Sequence, residues 1–406
     1  MRGGIVSGDR TMRVLVVHNH YLQAGGEDTV VQAEKALLEA NGNEVCLFED
    51  TNQELAGASV LTRARVALNA IYSVASRRRV AAAIQQFRPE VVHSHNFFNK
   101  FSPSVYDACH EAGVPVVQTL HNFRLVCLNA FLYRDGHTCE DCLRRAIPWP
   151  GVLHRCYQGS RAASATVAAM LTVHRAKDTW AERVTCYIAL TRFAREKFVA
   201  AGLPAAKIVV KPNVVYPTPE PGRGQGGFAL FVGRLSPEKG VETMLQAWQQ
   251  IGRRLPLHIV GDGPLTKRVE QFAHTTPGLI YHGRLPRSQA VELMQDAQVM
   301  IFPSVWYEMF SMTAIEALSV GLPVIASNLG SMTELIHHQH NGLHFRPGDA
   351  GDLVAQVDWF LTHPAEAQRM GRQARADFEQ QYAADRNYEL LRDIYRQAIA
   401  ERQRTR

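Results

Sequence analysis

The sequence predicts an α/β protein built from two doubly wound parallel sheets that face each other across a cleft. Three observations lead there. Short apolar runs alternate with helical patterns from end to end, which is βαβ order. The runs are apolar almost throughout, as strands buried on both faces require. The stretch Pro217–Gly227 then interrupts the alternation with three prolines and four glycines in eleven residues, which is linker chemistry, before the alternation restarts.

Arg13–His18 (RVLVVH) reads as the first strand, followed by a Gly-containing loop and a helix over Glu27–Asn41. Strands over Glu44–Phe48, Glu90–Ser94, Val114–Leu120, Cys186–Leu190 and Ile208–Lys211 complete a first domain, residues 1–215. Within it, 122–158 is a cysteine-bearing insertion without clean periodicity. The second domain, 228–383, opens with Phe228–Leu235 and continues through Leu257–Val260, Leu279–His282, Val299–Pro303 and Pro323–Ala326. Asp385–Arg402 is expected as a final helix, with 384–406 packing back on the first domain. Ligands of such sheets bind beyond the carboxyl ends of the strands, so the loops there hold the candidate residues.

A chain of 406 residues, nearly half of them apolar, can bury two ordinary cores. The formal charge of +6 suits nucleotides, diphosphates or an acidic lipid surface and is too diffuse to argue for DNA. No window reaches the roughly 18–20 apolar residues of a membrane span, and the N-terminus lacks a signal-peptide pattern. Seven cysteines in that context point to a reducing compartment, and a cytoplasmic location is expected. In Ala56–Arg88, Arg63, Arg65, Arg77, Arg78, Arg79 and Arg88 alternate with aliphatic residues. They could rest peripherally on anionic lipid or form a solvated helix face.

The densest chemistry lies in the second domain. In SVWYEMFSMTAIEALSVGLPVIAS (304–327) a strand runs into a helix with Ser311 placed as its N-cap. The backbone of Met309, Phe310 and Ser311 thus lies at a helix start suited to phosphate. Glu308 precedes the turn and Glu316 lies inside the helix; carboxylates accept paired hydrogen bonds from vicinal diols. FVGRLSPEKG (231–240) sets Gly233, Arg234 and Lys239 at a strand's carboxyl end, two cations for the charge on a departing diphosphate. IVGDGP (259–264) supplies the turn Gly261-Asp262-Gly263, and YHGRLP (281–286) could bring the backbone of Arg284 and Leu285 beside a nucleobase.

Together GRLSPEKG, IVGDGP, HGRLP and E-x7-E followed by GLPVIAS resemble the retaining glycosyltransferases of family 4, also called group 1, over essentially the whole chain. The resemblance implies a GT-B fold of two facing Rossmann-like domains, an α-linked product from an α-linked nucleotide sugar, and no catalytic metal. It implies that Arg234 and Lys239 contact the diphosphate, Glu316 the ribose and Glu308 the donor sugar. Many relatives carry glycine after the first glutamate, where this chain has Met309-Phe310. The hexose-type donor would serve a saccharide or polyprenol-linked acceptor in polysaccharide biosynthesis. A sugar-nucleotide epimerase of the same fold is the alternative.

In the first domain, Gly25 and Gly26 before a helix start allow close approach to an anion; in the resembled family this loop closes over the donor phosphates. His121 ends a strand (TLHNFR), and the family role would face it to the donor from across the cleft. His93 and His95 also end a strand. For retention the favoured mechanism is front-face displacement, with double displacement through a carboxylate as its alternative. Cys127, Cys139, Cys142 and Cys156 are spaced C-x11-C-x2-C-x13-C. Four thiolates around a structural zinc would organise the insertion; free thiols, a disulfide and an iron–sulfur centre are the other readings. The insertion is not strongly basic and lacks interleaved aromatics, so no nucleic-acid partner is expected.

Overall fold

The structure, a computed structural model, describes residues 11–20, 26–51, 59–98 and 100–404. The first sheet contains β1 (Arg13–His20), β2 (Glu44–Thr51), β3 (Val91–Asn96) and β4 (Val116–Leu120). A small antiparallel hairpin, β5 (Tyr133–Arg134) and β6 (His137–Thr138), lies in the cysteine insertion, and β7 (Cys186–Ala189) and β8 (Ile208–Val210) return to the first sheet. The second sheet holds β9 (Ala229–Val232), β10 (Leu257–Val260), β11 (Leu279–Tyr281), β12 (Val299–Phe302), β13 (Val324–Ser327) and β14 (Gly342–Phe345). Both sheets are parallel, in the orders β2-β1-β3-β4-β7-β8 and β11-β10-β9-β12-β13-β14. The second is the doubly wound 3-2-1-4-5-6 order of dinucleotide-binding domains.

Every predicted strand exists within a few residues of its expected ends. β14 was not foreseen, because Gly342-Leu-His-Phe345 follows Asn341 and reads as a turn. It pairs with β13 in register from Val324↔Gly342 to Ser327↔Phe345. The final helix spans Ala384–Arg404 and buries Tyr388, Leu391, Ile394, Tyr395 and Ala398, the apolar stripe of an amphipathic helix. That stripe lies on the first domain: Asn43 Nδ2 donates to Tyr388 Oη at 3.0 Å, and Arg402 donates to the His110 carbonyl. The chain therefore crosses back after completing the second sheet, and the carboxyl ends of both sheets meet along one seam.

Of the basic surface, Arg77 is bidentate to Glu111 and Arg79 pairs with Asp50 while covering Phe48 and Phe101. These two guanidinium groups remain partly exposed but are committed to acidic partners, which leaves Arg78 as the exposed cation of the triplet without an ion pair among the described residues. No helix among the described residues is long and apolar enough to cross a membrane.

Candidate active site

In the second sheet the strand order reverses between β9 and β12, so their following loops diverge and open a crevice. The β9 loop carries Gly233, Arg234 and Lys239; the β12 loop carries Ser304 to Ser311. Gly240 lets them meet. Its φ is +69°, and a Cβ there would lie 1.8 Å from the Pro303 carbonyl oxygen. The junction brings Lys239 Nζ to 2.7 Å from Glu308 Oε1. The same oxygen accepts from Ser304 Oγ at 2.8 Å and Trp306 Nε1 at 2.8 Å. Lys239 also lies 5.4 Å from the Trp306 ring centroid, a cation–π contact.

Glu308 is only 5 % exposed, which corrects the picture of a carboxylate simply pointing into the cleft. Oε1 is saturated and holds Lys239. Oε2 has no protein partner among the described residues and is not sealed, so it is the oxygen left for a ligand. Arg234 is exposed and likewise without a side-chain partner among the described residues. Ser311 caps the helix Met312–Ser319 as expected, accepting from Ala314 N at 3.1 Å. The side chains of Met309 and Phe310 are buried, Met309 within the first domain's core and Phe310 against Tyr382. Met309 thereby joins the domains, and with both side chains buried this turn offers a ligand backbone rather than side chain.

Glu316 is not idle either: Arg287 Nε donates to it at 2.6 Å, a partner the sequence reading missed. Gly261 and Gly263 have φ of +142° and +154°, and a Cβ on Gly261 would lie 1.9 Å from the Gly233 oxygen. Their first duty is to seat the β10 loop on the β9 loop. Asp262 and Arg284 are exposed and loosely paired at 3.8 Å, and Leu285 is partly buried against the core.

Gly25 lies outside the described residues. Gly26 begins the helix Gly26–Ala40, and a Cβ there would come within 3.9 Å of Met312 Cγ in the second domain. Glu27 was not foreseen. Its Oε1 accepts from Asn122 Nδ2 at 2.9 Å, whereas Oε2 is sealed without a partner among the described residues. Burial pushes its pKa up to about 7, opposed by Asn122 and assisted by Asp28. A carboxyl with a raised folded pKa costs no stability below about pH 4.5 and lowers it as pH rises from there to about 7. Glu27→Gln is therefore expected to stabilise the protein at pH 8, by on the order of 3 kcal/mol at most. It should change little at pH 4.5. Denaturant midpoints of both proteins at the two pH values check this, and an equal shift at both would contradict it.

His121 is partly buried, with Nε2 2.9 Å from His95 Nδ1. Burial draws its pKa down to about 3, so the ring is neutral at physiological pH. His95 Nε2 lies 3.3 Å from Glu34 Oε2, and Lys211 Nζ pairs with Glu34 Oε1 at 2.5 Å. His93 bridges Thr119 and Tyr395 of the final helix at 2.7 Å each. This network was missed apart from its histidines. Its one signal was Glu34 on the apolar face made by Val30, Val31, Leu37 and Leu38.

The four insertion cysteines are free thiols, and Cys142 lies near enough to Cys127, Cys139 and Cys156 to feel their charge. Burial, and to a lesser degree the neighbouring cysteines, push the Cys142 thiol up to about 11, and Cys139 and Cys156 are raised for the same reasons. A cation among them would reverse that penalty, so the chemistry of the set suits zinc. Their spacing is looser than a closed centre. The groups of ligand atoms within 4.8 Å of one another, among the described residues, are His18/His20/Asp28, Glu34/His93/His95 and His337/His340/Asp377. The insertion also reaches the second domain, with Phe131 edge-on to Trp306 at 4.9 Å.

Comparison with known proteins agrees with this geometry. Residues 25–214 match the glycosyl transferase 4-like domain and residues 220–377 match glycosyl transferases group 1. The chain is 33 % identical over 163 residues to D-rhamnosyltransferase WbpZ of Pseudomonas aeruginosa, covering 39 % of this chain and 42 % of that one. It is 33 % identical over 165 residues to glycogen synthase of Mycobacterium tuberculosis, covering 38 % and 40 %. The matched stretches thus span less than half the length of these relatives. Among solved structures, HepE of Anabaena with UDP and glucose superposes with a TM-score of 0.64 at 16 % identity, covering 94 % of this chain and 98 % of that one. A glycosyltransferase of Rickettsia africae superposes with a TM-score of 0.68 at 17 % identity, covering 96 % and 99 %. With two matched domains in the right order and a GT-B architecture, the chain belongs to the group 1, family 4-like glycosyltransferases.

Proposed function

We propose that the cleft binds a nucleoside-diphosphate hexose and transfers its sugar, with retention, to a hydroxyl of a saccharide or lipid-linked saccharide. The observation that carries this reading is the Lys239–Glu308 pair at the β9/β12 switch point, with Arg234 exposed on the same β9 loop as Lys239. It supplies fixed positive charge where a diphosphate leaves and a free carboxylate oxygen where sugar hydroxyls sit. HepE, of the same fold, was solved with UDP and with UDP-glucose, which supports a donor of that class.

Front-face displacement suits these groups. The bond from the sugar C1 to the diphosphate oxygen breaks, the bond to the acceptor oxygen forms on the same face, and the acceptor proton passes to the departing diphosphate. Because Oε1 of Glu308 accepts three hydrogen bonds, a double displacement through this residue would have to use Oε2, and a covalent glycosyl-enzyme trapped on Glu308 with a slow fluorinated donor would overturn the front-face reading. Retention is tested without an acceptor by following slow donor hydrolysis with NMR. Sugar released first as the α-anomer supports the reading; β-anomer first would overturn it. An epimerase would instead isomerise the donor and release no nucleotide.

A structural zinc held by Cys127, Cys139, Cys142 and Cys156 would brace the insertion that presents Phe131 to Trp306. Elemental analysis of purified protein is expected to give about one zinc per chain, lost in the double variant Cys139→Ser/Cys142→Ser with a lower melting temperature. Metal-free protein with an unchanged melting curve would end this part of the reading. Peripheral membrane binding at the cytoplasmic face would rest on Arg78 and its exposed neighbours Leu68 and Val74. Sedimentation with anionic vesicles that is indifferent to Arg78→Glu would remove it.

A further inference from the structure

We propose that Glu34 and His95 are positioning residues that fix the tautomer of His121, so that His121 meets the substrate as a hydrogen-bond acceptor through a bare Nδ1. The inference rests on a chain of contacts in which each member dictates the next. Lys211 and Glu34 are 1 % and 3 % exposed and lie 2.5 Å apart, so Glu34 is an anion held against a buried cation. His95 turns Nε2 toward the other oxygen of that carboxylate at 3.3 Å. The geometry falls short of a hydrogen bond and Oε2 is otherwise sealed without a partner among the described residues, but a lone pair on Nε2 would face a negative charge at that distance, so Nε2 carries the hydrogen.

His95 cannot also protonate Nδ1, because burial draws its pKa well below the usual histidine range. Its Nδ1 is therefore an acceptor, and the group 2.9 Å away, Nε2 of His121, must donate to it. His121 is also neutral, so its single ring hydrogen is spent on that bond. Nδ1 of His121 is left as a lone pair. It has no protein partner among the described residues and is not among the sealed unpartnered atoms, so it is left available to a ligand just beyond the carboxyl end of β4. The two rings stack at 5.2 Å with an interplanar angle of 19°, which resists a ring flip.

The consequence is a rule of recognition. A hydroxyl that donates to Nδ1 is accepted, whereas a group that can only accept finds no hydrogen there. This consequence rests on the proposed donor site; the tautomer itself does not.

The direct test is NMR of the full chain labelled with ¹⁵N-histidine at neutral pH, with the His121 signals assigned by their loss in His121→Gln. The expected result is a protonated Nε2 and a bare Nδ1. A protonated Nδ1 would overturn the proposal, and this arm needs no substrate. In His95→Phe, and separately in the charge-balanced pair Glu34→Gln/Lys211→Met, His121 should populate both tautomers. If either variant folds with a native melting profile and the tautomer does not move, Glu34 and His95 have no positioning role. The wild type is then assayed with donor sugars deoxygenated, or fluorinated in place of the hydroxyl, at each position in turn. At the position that meets His121 both changes should lower kcat/KM about equally, by tenfold or more. Rescue by fluorine, which accepts but cannot donate, would overturn the acceptor role.

Discussion

Lys239→Met is expected to lower kcat by a factor of about 10² to 10³, the usual cost of removing one preorganised group from developing charge. The methionine keeps the length and apolar stem of lysine, so packing against Phe302 and Trp306 survives while the ammonium does not. The donor KM should change much less than kcat, because charge on the diphosphate grows as the bond to the sugar breaks. Arg234→Met should act in the same direction with a smaller effect. Its guanidinium is exposed, and water screens it more effectively than the partly buried Lys239. Steady-state kinetics on the two single variants and the double variant separate these roles. A Lys239→Met enzyme with wild-type kcat would remove the cation from the chemistry.

Glu308→Ala should be at least as severe, with kcat/KM falling by about 10³, because one residue performs two tasks. It orients Lys239 through Oε1 and offers Oε2 to the donor. Its loss also strands the Ser304 hydroxyl, the Trp306 indole N–H and the Lys239 ammonium. Orphaned donors of this kind cost about 1–3 kcal/mol, which lowers the melting temperature by several degrees. Glu308→Gln keeps an acceptor for these donors and removes only the charge, so its melting temperature should recover while much of the activity loss remains. If alanine and glutamine lose activity and stability in the same proportion, Glu308 is only a structural brace.

The fold was legible because burial on both faces leaves an unmistakable mark: Val14–Val17, Val299–Phe302 and Val324–Ala326 are apolar at every position. β14 escaped because it is four residues long, begins with glycine and contains a histidine. The candidate site was legible as a list of residues and not as a set of partnerships. Glu308 and Lys239 lie on loops that follow strands and Ser311 lies at a helix start, as read from the sequence, yet nothing in the local sequence says that Glu308 clamps Lys239 or that Arg287 answers Glu316. Those pairings depend on how loops 29 and 69 residues apart are brought together by strand order. Met309 and Phe310 looked anomalous beside a sugar site, and the structure gives their reason: both side chains are buried, Met309 in the first domain's core and Phe310 against Tyr382. Glu27 and the Glu34–Lys211 pair were hidden for the opposite cause. A buried charge inside an amphipathic helix resembles a solvated one until its partner from elsewhere in the chain is known.

The most direct test of the nucleotide-sugar site is a thermal-shift measurement with UDP-glucose, GDP-mannose and ADP-glucose on the wild type, Lys239→Met and Glu316→Ala. Specific binding raises the melting temperature by mass action. At least one of these donors should stabilise the wild type, and the shift should shrink or vanish in both variants. Stabilisation of all three proteins to the same degree would place the nucleotide elsewhere and contradict a donor site at the β9/β12 switch point.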